Sequence, residues 1–300
     1  MPEGLRWGML GAAHIAQRAL LSAFAASRNG RLVAVASRDV DKARALLVEH
    51  PDVRAVEGYD ALLADPTIDA VYNPLPNSLH KEWSIRSLEA GKHVLCEKPI
   101  ALNAGEAEEM AAAATASKRH LMEAFMFRFH PAMREFVSTA RDAIHVSSRF
   151  GFTAHDEADI RLQALLGGGA LLDVGCYTVS VSRWILGEPV DVVAAAHLRD
   201  SLDLTTNALL TFSGNRTATV WSSVESARIE EVTVITPTDV LRRAPVFSAR
   251  EGHDPYQLMV ESFGDSVLQG GPDAIPMSES IANMRVLDAI RESSRSRSAL

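Results

Sequence analysis

The sequence predicts an α/β fold, in which a doubly wound parallel sheet is followed by an α+β domain with a largely antiparallel open sheet. Three observations predict it. Short apolar runs alternate with helical stretches through the first 125 residues, which implies right-handed crossovers and a parallel sheet covered on both faces. These runs are continuously apolar, as strands buried on both sides are, and Arg31 to Ser37 is the clearest case. Beyond about residue 130, strands follow one another through short turns such as Ser213-Gly214-Asn215, the rhythm of an antiparallel sheet. The 300 residues suit two domains, divided here as 1–125 and 126–300 with the boundary near Phe125 to Pro131.

Leu5 to Leu10 reads as the first strand, ended by Gly11, and His14 to Ala26 as the first helix. Arg31 to Ser37 is the second strand, and Val40 to His50 a helix. Arg54 to Glu57 is a short strand, and Asp60 to Leu63 a helical turn. Ile68 to Tyr72 is the fourth strand, and Ser78 to Ala90 a helix capped by Asn77 or Ser78. His93 to Cys96, a helix from the cap Asn103 to Ser117, and Leu121 to Phe125 complete the first half. After a helix at Pro131 to Arg141, strands fall at 145–152, 190–197, 205–212, 216–224, 230–236 and 240–243, with a helix from Gly175 to Leu186 among them. Thr217, Thr219 and Trp221 alternate with Ala218, Val220 and Ser222, the period of a sheet with one covered face. Helices at Gln257 to Leu268 and Ser278 to Ser293 close the chain, and the Ser- and Arg-rich stretch Arg291 to Leu300 reads as a frayed tail.

Composition removes several classes. With 47% hydrophobic residues the chain is neither disordered nor fibrous. Thirty Lys and Arg against 38 Asp and Glu give a charge of -8, a poor match to a nucleic-acid backbone, so no nucleic-acid partner is expected. Cys96 and Cys176 form no disulfide framework and no paired metal spacing, so no metal is expected and a cytoplasmic location fits. No export signal and no uninterrupted apolar run of about 18 residues is visible, so no membrane partner is expected.

The candidate chemistry clusters at predicted strand ends. The fingerprint G-x-G-x-x-G falls on Gly11, Ala13 and Ala16, where small residues serve a tight turn, a close approach to pyrophosphate and helix packing. Gly11, Ala12, Ala13, His14 and Ile15 would then present backbone N–H groups and a helix dipole to that pyrophosphate. The second strand ends at Ser37-Arg38-Asp39, with Lys42 one turn on. A hydroxyl and two cations at this tip favour the 2′-phosphate of NADP; Asp39 either accepts a ribose hydroxyl, leaving NAD possible, or only caps the next helix.

Asn73-Pro74-Leu75-Pro76-Asn77-Ser78-Leu79-His80 is a loop stiffened by two prolines at the crevice edge. Asn73, Leu75, Pro76, Asn77 and His80 are candidate contacts, His80 being either within reach of substrate or an ordinary solvated helix residue. In Glu97-Lys98-Pro99, a lysine beside a nicotinamide has its pKa lowered and becomes a proton donor or an electrostatic hand on a carbonyl oxygen, with Pro99 restricting its backbone. In the stretch Gly167 to Tyr177, three glycines permit close backbone approach. Asp173 and Tyr177 share a helix face if a helix starts near Asp173; otherwise Asp173 is a cap and Tyr177 a core aromatic.

Taken together, the Gly11 turn, the Asn73 to His80 loop, Glu97-Lys98-Pro99, the Gly167 to Tyr177 stretch and a closing helix near Asn283 to Ala289 resemble the Gfo/Idh/MocA oxidoreductase family over nearly the whole chain. The chain is most similar to the NADP-using branch of glucose-fructose oxidoreductase, dihydrodiol dehydrogenase and D-xylose 1-dehydrogenase, since Tyr177 stands where many relatives carry His. That resemblance implies an NADP-binding Rossmann domain and a substrate-binding and oligomerisation domain that makes dimers or tetramers. It implies hydride transfer between NADP(H) and a sugar, polyol or dihydrodiol, with Lys98 and Tyr177 catalytic and Asp173 assisting. Arg128 and His130, after the last strand of the first half, are further candidate contacts to cofactor or substrate. Ala13 and Ala16 depart from the fingerprint. Two other readings are a non-catalytic NADP-sensing regulator and a glycosidase-type enzyme with tightly bound NAD.

Overall fold

The computed structural model describes residues 4–297. Its first sheet has strands β1 (Leu5–Leu10), β2 (Gly30–Ser37), β3 (Arg54–Glu57), β4 (Ala70–Asn73), β5 (His93–Cys96) and β6 (Leu121–Glu123). All are parallel, in the order β3-β2-β1-β4-β5-β6, which puts the topological switch between β1 and β4. Every residue of β4 and β6 is buried, as strands covered on both faces must be. Residues 14–26 are helical as expected, but Ala16–Leu20 forms a π turn before α1 (Leu21–Ala26). The helix read to His50 is shorter: α2 (Val40–Leu46) gives way to turns, and Pro51 disfavours helical backbone at His50. Helices α3 (Tyr59–Leu63), α4 (His80–Glu89) and α5 (Ala104–Ser117) supply the other crossovers.

The second sheet follows α6 (Pro131–Thr139). It contains β7 (His145–Thr153), β8 (Pro189–Arg199), β9 (Leu202–Phe212), β10 (Arg216–Ser223), β11 (Glu225–Ile235) and β12 (Val240–Arg243), in the order β12-β11-β7-β10-β9-β8. The β7–β10 pair is parallel and the remaining pairs are antiparallel. β11 starts five residues before the sequence places it, because an irregularity between Glu225 and Ile229 breaks the apolar alternation there. Ala218, Val220 and Ser222 are buried while Thr217, Thr219 and Trp221 keep partial exposure, so the alternation separates a partly exposed face from a covered one. Helix α7 (Cys176–Leu186) packs on that face, against β7 and β10. Within Ala164–Leu186 an 18-residue window is apolar enough, at a mean hydropathy of 1.4, to match a membrane span by composition, yet 72% of that window is buried inside the fold. The chain ends with α8 (Pro255–Gln269) and α9 (Met277–Arg297).

Two points depart from the sequence reading. The expected tail from Arg291 is helical through Arg297: Arg291 donates to the Leu102 carbonyl at 3.3 Å, and the Ser293 hydroxyl accepts from Ala194 N at 2.9 Å. Residues 298–300 of that tail lie outside the described residues. Secondly, the compact units do not follow a single cut. Residues up to Ile100, Gly105–Phe129 and Gly252–Ser280 form one, and Ala101–Ala104, His130–Glu251 and residues from Ile281 form the other. Helix α8 therefore belongs with the parallel sheet. Its Phe263 packs 5.4 Å from Trp7, which packs 5.3 Å from Phe24. Asn29 Nδ2 donates to the Glu261 carbonyl at 2.7 Å, and Arg28 N to the Glu261 carboxylate at 3.0 Å.

Phe263 is fully buried in this contact. Phe263→Ala should destabilise the protein by about 3–5 kcal/mol, seen as a lower urea midpoint. An unchanged midpoint would show that α8 does not dock on the parallel sheet in solution.

Candidate active site

The carboxyl ends of β1, β2 and β4 surround a cavity of about 480 Å³. Gly11 closes β1 with φ +85°, and its N–H donates to the Ala36 carbonyl at 2.7 Å. A Cβ at Gly11 would crowd Leu75 Cδ2 at 3.0 Å, and the positive φ itself favours glycine. Ala12 and Ala13 line the cavity beside it. Ala16 is fully buried, so the third fingerprint position holds a methyl group without opening the helix–sheet packing. His14 and Ile15 fall outside the cavity lining, His14 exposed and Ile15 half-buried.

Ser37, Arg38, Asp39 and Lys42 form the second wall. The Asp39 carboxylate accepts from Asp41 N at 3.1 Å and caps α2, and the Ser37 hydroxyl accepts from Asp39 N at 3.2 Å. Arg38 and Lys42 are exposed, and neither has an ion-pair partner among the described residues. Unpaired cations lining a cavity beside a helix start are suited to an anionic ligand. Pro74, Leu75 and Pro76 make the third wall, and Tyr59, which sequence reasoning passed over, completes it.

Behind this wall the Asn73 to His80 loop is an internal scaffold. Asn73 is fully buried. It donates to the His80 carbonyl at 3.3 Å and the Ser84 hydroxyl at 3.1 Å, and accepts from Leu75 N at 3.3 Å. The expected cap at Asn77 or Ser78 is absent: Asn77–Leu79 is a 3₁₀ turn, and α4 starts at His80 without a side-chain cap. Asn77 is half-buried and outside the cavity lining. Neither reading of His80 matches its position. It is fully buried, with Nδ1 2.8 Å from the Pro99 carbonyl and Nε2 2.7 Å from the Leu75 carbonyl. It thus ties the cavity wall to the turn that carries Lys98. Burial pushes its pKa down to about 4 against the pull of the two carbonyls, and the charge of Lys98 adds to the lowering.

Lys98 lies half-buried at the end of β5, joined to Pro99 by a cis peptide bond. The Glu97 N–H donates to the Asn73 carbonyl at 3.0 Å. Its carboxylate accepts from the Tyr72 hydroxyl and, at 3.1 Å, from Lys98 N. Glu97 is thereby a brace for the lysine's backbone. Tyr256, on α8, is pushed up to about 12 by burial and then by the charge of Glu97, with opposing contributions from Arg18 and Lys98. Arg128 lies in a 3₁₀ turn and pairs with Glu279 at 3.5 Å. His130 is buried and accepts from Ala132 N at 3.2 Å, so it caps α6.

In the second unit, the glycine stretch leads into helical residues 170–186, which open with a π turn at Leu171–Gly175. Gly169 has φ +108°, and a Cβ there would lie 2.2 Å from Asp203 Oδ1. That closeness lets Asp203 accept from Leu171 N at 2.6 Å, and burial raises the Asp203 pKa. Asp173 is not a cap: it sits inside the π turn and pairs with Arg161 at 3.0 Å. Arg161, which the sequence did not flag, also binds Asp159, and the charge of Asp173 raises its pKa. Tyr177 is 8% exposed and packs 5.6 Å from Phe150 and 5.3 Å from Phe247.

A glycine turn opening onto a cavity at the switch point of a parallel sheet defines a dinucleotide-binding protein. Residues 5–125 match the oxidoreductase family with an NAD-binding Rossmann fold, and residues 142–238 match the GFO/IDH/MocA C-terminal domain. The chain belongs to the GFO/IDH/MocA family and is an NAD(P)-dependent oxidoreductase. It is 36% identical to a D-xylose 1-dehydrogenase (NADP(+)) of Haloferax volcanii, over 99% of each chain. It is similar to the crystal structure of an aldose-aldose oxidoreductase from Caulobacter crescentus, with a TM-score of 0.90 and 26% identity over 98% of each chain. It is also similar to a 3-ketoreductase from Actinomadura kijaniata in complex with TDP-benzene and NADP, with a TM-score of 0.88 and 32% identity over 97% of this chain and 98% of that one.

The buried His80 makes stability depend on pH. Its folded pKa, about 4, lies below the ordinary imidazole value of 6.5. The unfolded chain takes up the proton first, so stability is complete above about pH 6.5 and falls toward pH 4, by about 3 kcal/mol from this residue. His93, also held near 4 by burial, acts in the same window. Urea denaturation between about pH 7 and 4.5 should show this fall, and His80→Asn should flatten it. Equal slopes for the two proteins would refute it.

Proposed function

We propose that this chain is an NADP(H)-dependent oxidoreductase that moves a hydride between the cofactor and a CH–OH or C=O carbon of a sugar. The observation that carries the NADP reading is the pair of cations, Arg38 and Lys42, which have no ion-pair partner among the described residues and line the same cavity as Gly11 and Ser37. Asp39, the residue that would accept a ribose 2′-hydroxyl, has its carboxylate engaged in capping α2. The donor chemistry fits the dinucleotide: cations and a hydroxyl for a 2′-phosphate, backbone N–H groups around Ala12 and Ala13 for pyrophosphate, and Leu75 and Pro76 for an apolar ring. The relatives named as D-xylose dehydrogenase and aldose-aldose oxidoreductase support a sugar as substrate.

The bound nicotinamide supplies the hydride acceptor or donor. In this reading Tyr177 exchanges the proton of the reacting hydroxyl, Lys98 polarises the reacting oxygen, and Asp173, ion-paired with Arg161, assists. Glu97 and His80 hold Lys98 through its backbone and that of Pro99. Cys96 and Cys176 are buried and form no disulfide, which supports a cytoplasmic setting. The partly exposed face of Thr217, Thr219 and Trp221 supports assembly into a dimer or tetramer.

Fluorescence titration with NADPH and NADH tests the cofactor. Arg38→Ala should weaken NADPH about 10- to 100-fold, the scale of a charge-assisted phosphate contact, and leave NADH nearly unchanged. Tighter binding of NADH than of NADPH by the wild-type protein would overturn the NADP reading. With an aldose panel, Lys98→Ala should reduce kcat by at least about 100-fold, as loss of a proton-handling group does, and full turnover would remove Lys98 from the chemistry.

A further inference from the structure

Tyr59 is the first residue of α3, preceded by Gly58, whose N–H donates to the Ser37 carbonyl at 2.9 Å. The start of α3 is thus fastened to the tip of β2. The Tyr59 ring is 7% exposed and meets Trp83 edge to face at 4.8 Å and 81°. Trp83 carries the Arg86 guanidinium 4.2 Å above its own ring. The phenol is therefore held from several sides, with little rotamer freedom to lose on binding.

Its hydroxyl is placed differently from those of the other buried polar groups nearby. It lies 3.7 Å from where a Cβ of Gly11 would stand, and Tyr59 lines the cavity together with Gly11. It makes no hydrogen bond to the described residues, and it is not one of the sealed unpartnered polar atoms, so it opens on the cavity. A buried tyrosine ordinarily satisfies its hydroxyl within the protein. Here the hydroxyl faces the space where a ligand would lie, and the remaining polar groups of the lining suit phosphate and ribose.

We propose that Tyr59 is a cofactor-binding residue whose hydroxyl hydrogen-bonds the adenosine ribose–pyrophosphate segment of the dinucleotide, the part common to NAD and NADP. This rests on the dinucleotide reading of the cavity given above. The assignment to the common segment follows from position: the hydroxyl abuts Gly11, the turn where backbone meets pyrophosphate, whereas Arg38 and Lys42 stand at the β2 tip. Tyr59 therefore contributes to affinity without choosing between the two cofactors.

Tyr59→Phe tests this, since it keeps the ring against Trp83 and removes a single oxygen. Titration of wild-type and Y59F protein with NADPH and NADH, followed by nicotinamide fluorescence, should show both cofactors weakened about 5- to 20-fold by a common factor. The cofactor KM should rise accordingly, kcat at saturating cofactor should hold, and the thermal midpoint without cofactor should not fall. Unchanged affinities, or a loss confined to NADPH, would overturn the assignment while the wild-type protein still binds. If the wild-type protein bound neither nucleotide, the dinucleotide reading would fall and this assignment with it.

Discussion

The first unit depends on the reversal of the backbone at Gly11. A positive φ there lets β1 end abruptly, and the missing side chain lets Leu75 close in from the neighbouring strand's loop. The cavity exists because three strand ends, β1, β2 and β4, converge without a side chain filling the gap. A Cβ at Gly11 would strain the turn and press on the Leu75 side chain. The small residues Ala12 and Ala13 line the space, while Ala16 is fully buried behind it.

Polar groups behind the cavity satisfy one another. Asn73 closes the loop that follows β4, Glu97 binds both Tyr72 and the backbone of Lys98, and His80 spans the Leu75 and Pro99 carbonyls. Buried polar atoms left unpaired would cost more than the loop's own folding supplies, so the network fixes a single loop conformation. Lys98 is presented from this scaffold, with its backbone held on one side by Glu97 and on the other by the turn that His80 secures. The second unit uses the same device: Asp203 anchors the backbone at Leu171, the first residue of the π turn that carries Asp173.

Much of this was legible in the chain. Runs buried on both faces read as continuous apolar segments, so β1, β2, β4 and β5 fell close to their predicted positions. Gly11, Ala12, Ala13, Ser37, Arg38, Lys42, Leu75 and Pro76 were predicted from strand-end positions, and one cavity contains them all. His14, Ile15, Asn77 and Arg128 were inferred from proximity in sequence. Helix geometry turns the first two out of the cavity, and Glu279 pairs with the last. Tyr59 carried no local signal, since a tyrosine opening a short helix looks like core packing. Likewise, Arg161 stands twelve residues before the aspartate it binds, on a turn with no periodicity to read.

Local chemistry, then, was the sequence's to determine: where strands run and end, which turn demands glycine, and which strand tip carries cations. Those properties follow from short-range sterics and from the period of apolar residues. Tertiary structure decided the rest. It brought α8 across 232 positions to seal the parallel sheet, buried His80 between two carbonyls, and aimed the Tyr59 hydroxyl at Gly11. Each of these is a long-range packing choice, set by which surfaces meet in three dimensions, and no neighbouring residue records it.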